Sequence, residues 1–139
     1  MKRLILLIAI LCSFAFISCS SSSSGGDEAP VIYNLSIFAD PGDPYETTTY
    51  SIGDVVYLAF VVYDEDKDVE SAVLSVKDAA TLAVIEPETE IAMAEQSDKK
   101  SVYNYYFSPD EAGSFKLYLY VKDKAGNKSN ILSKNLTVN

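Results

Sequence analysis

Val55-Val56-Tyr57-Leu58-Ala59-Phe60-Val61-Val62-Tyr63 is nine residues long and holds no charge, glycine or proline. β-branched and aromatic side chains of this kind favour an extended chain. Successive side chains of a strand point to opposite faces. One row is therefore Val56, Leu58, Phe60 and Val62, and the other is Val55, Tyr57, Ala59, Val61 and Tyr63. A strand apolar on both rows is central, or has one face covered by a neighbour. Gly53-Asp54 precedes it and Asp64-Glu65-Asp66-Lys67-Asp68 follows it, and both are turn formers.

The same grammar extends outward. Upstream, 31–38 reads as a first strand, and 39–53 is a long connection holding Pro41, Gly42 and Pro44. Within it, Thr47-Thr48-Thr49-Tyr50 can add a few residues to a sheet edge. Downstream, Ala72, Leu74 and Val76 alternate with smaller or polar neighbours, the pattern of a half-buried strand. Residues 81–85 and 90–94 read as two weaker, edge-like segments on either side of Pro87, the second with a short helical turn as its alternative. Residues 102–107 are aromatic-rich. Phe115, Leu117, Leu119 and Val121 alternate with Lys116, Tyr118, Tyr120 and Lys122. Lys124-Ala125-Gly126-Asn127 predicts a hairpin turn, and 131–138 a last strand. About seven strands in about 110 residues, without a convincing helix, predict an all-β fold: a single antiparallel β-sandwich.

Several segments resemble bacterial immunoglobulin-like modules and the related fibronectin III and PKD-type domains. Gly53-Asp54-Val55-Val56-Tyr57-Leu58-Ala59-Phe60 is similar to their B strand. Glu111-Ala112-Gly113-Ser114-Phe115-Lys116-Leu117 is similar to the run entering strand F, with Phe115 in place of the corner tyrosine. Val121-Lys122-Asp123-Lys124-Ala125-Gly126-Asn127 resembles the F–G turn. The resemblance spans 30–139 and implies an immunoglobulin-like sandwich. It also implies that the 64–68 and 123–127 loops share a pole with the start of the first strand. Modules of this class serve many functions.

The first 29 residues have a different character. Lys2 and Arg3 precede an uncharged run over 4–17, shorter than the roughly 20 residues of a membrane span and suited to a secretory signal. Phe16-Ile17-Ser18-Cys19 resembles a bacterial lipobox. That implies cleavage after residue 18, lipidation of Cys19 and anchoring in a bacterial cell envelope, with Ser20 favouring the outer membrane. Residues 19–29, rich in Ser and Gly, read as a flexible tether, and 30–139 as the folded body. Anchoring at Cys19 would put the 64–68 pole on the anchored side, so the far loop at 39–53 and the tyrosine face should be more accessible to external partners than Asp64–Asp68.

Leaving aside Lys2 and Arg3, nine basic residues face twenty acidic ones, a formal −11. Such a body repels nucleic acid, so no nucleic-acid partner is expected. The chain holds no histidine, and both cysteines lie at or before position 19. Ser-His-Asp, Cys-His and His-ligated zinc sites are thereby excluded, and no enzyme activity and no required cofactor are expected. Asp64, Asp66 and Asp68 have the spacing of Ca²⁺ oxygen ligands, and Asp123 falls near them in an immunoglobulin-like sandwich. Val69 and Ser75 stand where an EF-hand needs glycine and glutamate, so the alternative is a solvated turn whose carboxylates cap backbone amides. Tyr118 and Tyr120 project opposite the Phe115/Leu117 row, either as an exposed binding face or as cross-strand pairs that need no partner. The expected function is a membrane-anchored binding or adhesion module for a protein or glycan. The alternatives are a structural accessory subunit of an envelope complex and a small inhibitor or ligand carrier.

Overall fold

The computed structural model describes residues 28–139; the signal, Cys19 and nearly all of the tether lie outside the described residues. Eight strands follow in order: β1 Val31–Phe38, β2 Thr49–Tyr50, β3 Val56–Tyr63, β4 Val69–Asp78, β5 Val84–Ala92, β6 Lys100–Phe107, β7 Gly113–Asp123 and β8 Leu132–Val138. They form two sheets. One has the order β1-β3-β6 and the other β2-β8-β7-β4-β5. The chain is an all-β sandwich, as its alternating rows require.

The core lies between the sheets. Val56, Leu58, Phe60 and Val62 of β3 meet Phe115, Leu117, Leu119 and Val121 of β7 there, with Ile32, Ile37, Ala72, Leu74 and Leu136 around them. β3 occupies the centre of its sheet. In β1 the alternation is interrupted at Asn34, whose φ of 57° accompanies a register shift between Tyr33 and Ser36. Asparagine tolerates this left-handed conformation, and the bulge keeps Leu35 and Ile37 facing inward.

Residues 81–85 and 90–94 are not separate segments. A single strand, β5, runs through Pro87. It has a sheet neighbour on one side only, and its pairing with β4 skips from Glu86 to Thr89 at a register shift. A proline lacks a ladder donor and is accommodated at an edge or bulge. Thr49 and Tyr50 do add to a sheet edge, pairing parallel with β8.

The two long sides of the sandwich are finished differently. Along the β1/β8 side, the Ile32 N–H donates to Asn130 Oδ1 at 2.9 Å, and Asn130 Nδ2 donates to the Ile32 carbonyl at 2.9 Å. The 39–53 connection spans the same side. Thr47 N–H reaches the Ile37 carbonyl in one sheet, and the Thr48 carbonyl accepts from Thr137 N–H in the other. Lys134 pairs there with Glu46 at 2.8 Å, and this, with a hydrogen bond to Ser36, holds the Glu46 carboxyl below the usual carboxylate range. Tyr50 is buried, donates to the Thr47 carbonyl at 2.9 Å and has its phenol pushed up to about 12 by burial and by Asp54. On the β5/β6 side the 93–99 connection ties the sheets near the pole where β1 begins, with Met93 N–H donating to the Glu70 carbonyl and Asp64 N–H to the Lys99 carbonyl.

Candidate binding site

Three surfaces bear on function. The first is the pole at which β1 begins. Val31 pairs with Tyr63 and Val69 with Asp123, so 64–68 and 123–127 lie at that end, with 39–53 at the other. Lys124 N–H donates to the Asp68 carbonyl at 3.1 Å, joining the two loops. Asp64 is buried, and its carboxylate accepts from the backbone N–H of Asp68 at 2.9 Å and of Asp66 at 3.4 Å. Asp123 is buried too, accepting from Asn127 N–H and Nδ2, both at 2.8 Å. These oxygens accept from groups of their own turns, three backbone N–H groups and the Asn127 side-chain amide. Burial, then the charges of Asp64 and Asp123, push the Asp68 carboxyl above the ordinary aspartate range. Among the described residues no group of three or more carboxylates is arranged to hold a metal ion. The fold brings Asp64, Asp66, Asp68 and Asp123 to one pole, with Asp64 and Asp123 accepting hydrogen bonds from their own turns.

The second surface is the outer face of the β7 sheet. Tyr118 and Tyr120 do point away from the core, but they are not an open platform. Tyr118 is half-buried, with Lys77 Nζ 4.8 Å and Lys116 Nζ 5.5 Å from its ring centroid. Tyr120 is only 6% exposed, donates to Glu88 at 3.1 Å and lies under Lys128 at 5.0 Å. The expectation that both are exposed is corrected for Tyr120. β7 has β8 and β4 on either side, so long polar side chains from flanking strands fold over its tyrosines.

The third surface is the outer face of the β1-β3-β6 sheet. Its cross-strand registers set out four rows: Val31-Tyr63-Lys100, Tyr33-Val61-Val102, Ser36-Ala59-Asn104 and Phe38-Tyr57-Tyr106. Nine of these twelve side chains are apolar or aromatic, and none is acidic, in a chain with twenty acidic residues. Tyr106 and Val102 are 68% and 64% exposed, and Val31 and Tyr63 are exposed as well. Tyr57 and Tyr106 pack with centroids 6.2 Å apart, and Lys100 lies 5.5 Å from the Tyr33 ring centroid. Glu65 stands at the rim, held by Lys99 and by the Tyr63 hydroxyl at 2.5 Å. Eight residues by three strands make a face of roughly 25 by 15 Å, or about 400 Å². That lies in the range of the largest patch on a monomer, which is often functional. It is about half of what each partner contributes to a standard interface. The sequence signal for this face is the second apolar row of β3, which asks for a cover that no described element supplies.

No protein-family model matches the chain, and no curated protein matches it. Among solved structures the chain is similar to the PKD domain of an M14-like peptidase from a Thermoplasmatales archaeon. The identity there is 12% and the TM-score 0.46, over 79% of this chain and 92% of that one. It is similar to part of a β-glucosidase from Erythrobacter marinus, at 9% identity and a TM-score of 0.50, over 80% of this chain and 15% of that one. It is also similar to the CARDB domain of a Pyrococcus furiosus protein solved in complex with two metal ions. The identity in that case is 11% and the TM-score 0.41, over 81% of this chain and 90% of that one. At such identities the likeness speaks to the fold alone, and the fold is the two-sheet β-sandwich described above.

Proposed function

We propose that this chain is a non-catalytic binding module, held on a bacterial cell envelope by lipidated Cys19, that engages a protein or glycan through the outer face of the β1-β3-β6 sheet. The observation that carries the proposal is the uncovered, acid-free row set of nine apolar and aromatic side chains. Tyrosine offers broad contact area with a polar tip and is over-represented among energetically dominant contacts. An acidic body that leaves one face free of carboxylates presents that face to a partner without desolvating a carboxylate.

The lipobox-like Phe16-Ile17-Ser18-Cys19 supports the anchor and the envelope location, and Ser20 supports the outer membrane. The absence of histidine from the chain and of a metal-holding group among the described residues supports a role without catalysis. The formal −11 supports partners other than nucleic acid.

The test is affinity capture from detergent-solubilised envelopes with the full chain and with the double variant Val102→Ser/Tyr106→Ser. Both side chains are mostly exposed, so melting temperature should hold. The proposal expects a partner that the parent captures and the variant loses. Equal capture by both would refute this face as the site.

A further inference from the structure

Between β5 and β6 the sandwich is open. A groove of about 570 Å³ with mixed polar and apolar walls runs there, floored by Leu74, Phe115 and Leu136. A second hollow of about 160 Å³ adjoins it, sharing Leu74, Ile91 and Tyr105. Near the pole at which β1 begins, the Tyr103 hydroxyl closes the groove by donating to the Ala94 carbonyl at 3.1 Å. At the other end stand Glu86, Asp110 and Glu111. None of these three takes part in an ion pair among the described residues, and no basic side chain lines either hollow.

The two strands that border the groove are both sheet edges, but they differ. β5 carries Pro87, Glu86, Glu88 and Glu90, the devices by which proteins stop an edge from pairing. β6 carries one charge, Lys100 at its first position, and from Ser101 to Phe107 it reads Ser-Val-Tyr-Asn-Tyr-Tyr-Phe, without charge or proline. An uncharged, aromatic edge of this length is a template for another strand.

The geometry points to β6 as a strand-addition site for an extended segment of a partner protein, with apolar side chains on alternate positions and Lys or Arg at its end. Such a segment hydrogen-bonds along β6 and widens the three-stranded sheet to four. Its inward side chains cover the floor of the groove, and its basic end meets Glu86, Asp110 and Glu111. Charge selects this occupant over a second copy of the chain, because two copies would bring two sets of unpaired carboxylates together in a net-acidic pair. The inference deepens the reading of the domain as a binding module while using its edge rather than its outer face.

The probe is a fluorescent nine-residue peptide alternating valine and threonine, flanked by two lysines at each end so that either strand direction is served. It is titrated by anisotropy against the full chain in detergent. Two further peptides carry N-methyl groups on alternate backbone amides, one on the odd positions and one on the even. Saturable binding is expected, with one N-methylated peptide weakened at least about tenfold and the other much less, because an added strand uses amides on one side only. The triple variant Glu86→Gln/Asp110→Asn/Glu111→Gln should weaken binding roughly tenfold, three exposed pairs each being a small contribution. Binding that both N-methylated peptides retain would overturn strand addition and leave an apolar hollow for a small cation. No binding by about 1 mM peptide, the affinity of a very weak complex, would overturn it too. If the peptide fails while envelope capture still depends on Val102 and Tyr106, the strand site falls and the binding module stands; if both fail, both fall.

Discussion

Replacing Asn130 with alanine tests how the closed side of the sandwich is held. Asn130 contributes one acceptor and one donor to the same residue, Ile32, each at 2.9 Å. Ile32 is 1% exposed and is the second residue of β1. Truncation leaves its N–H and carbonyl without these partners, and each unmade buried hydrogen bond costs about 1–3 kcal/mol. Asn130 itself is exposed, so water recovers part of that loss, and the expected cost is about 2 kcal/mol. For a domain of this size that is a fall in Tm of roughly 8–12 °C. Asn130→Asp separates the two bonds. It keeps the acceptor for the Ile32 N–H but sets a carboxylate against the Ile32 carbonyl. Its cost should match or exceed that of alanine at pH 7 and shrink near pH 4, where protonation restores a donor. Urea unfolding gives the free energies, and amide exchange at Ile32 should accelerate with them. An alanine variant within about 0.5 kcal/mol of the parent, the scatter of neutral surface changes, would refute the clamp.

Asp68→Asn should stabilise the domain at pH 7 by roughly 0.5–1 kcal/mol, the scale of one unfavourable exposed charge pairing. The carboxyl is raised in the folded state, so its contribution is most favourable below the unfolded value of 3.8 and is lost as pH rises through the folded value. The gain over the parent should therefore vanish in melts run below pH 3.8, and destabilisation at pH 7 would show a favourable contact at that carboxylate. Millimolar Ca²⁺ should leave Tm unchanged, because Asp64 and Asp123 are turned onto backbone amides; a rise abolished by Asp64→Asn would establish a calcium site. Gly113→Ala places a Cβ 2.9 Å from Phe115 Cζ, so the ring at the groove floor must shift, at a cost of about 1–3 kcal/mol. Unchanged stability would mean that the ring moves freely.

The strands with one clean apolar row were legible because their side chains carry the whole signal. Phe115, Leu117, Leu119 and Val121 read as a core row and pack as one. β5 was less legible because an edge strand needs pairing on one side only, and a bulge absorbs Pro87. Alternation also says which face a tyrosine takes, not what folds over it. Tyr120 is covered by Glu88 and Lys128, contributed by positions 32 residues before it and eight after. The outer face of β3 was half legible: its second apolar row demanded a cover, and only the assembled sheets show that no described element provides one. The groove left no local signal, since its walls come from β4, β5, β6, β7, β8 and the 108–111 turn.

The most direct test of the account is photo-crosslinking in intact cells. A benzophenone amino acid replaces Tyr106 on the outer face of the β1-β3-β6 sheet, and in a second strain Ser133, exposed on β8 of the opposite sheet. A discrete adduct is expected from position 106 and none from position 133. An adduct from position 133 alone, or none from either, would contradict it.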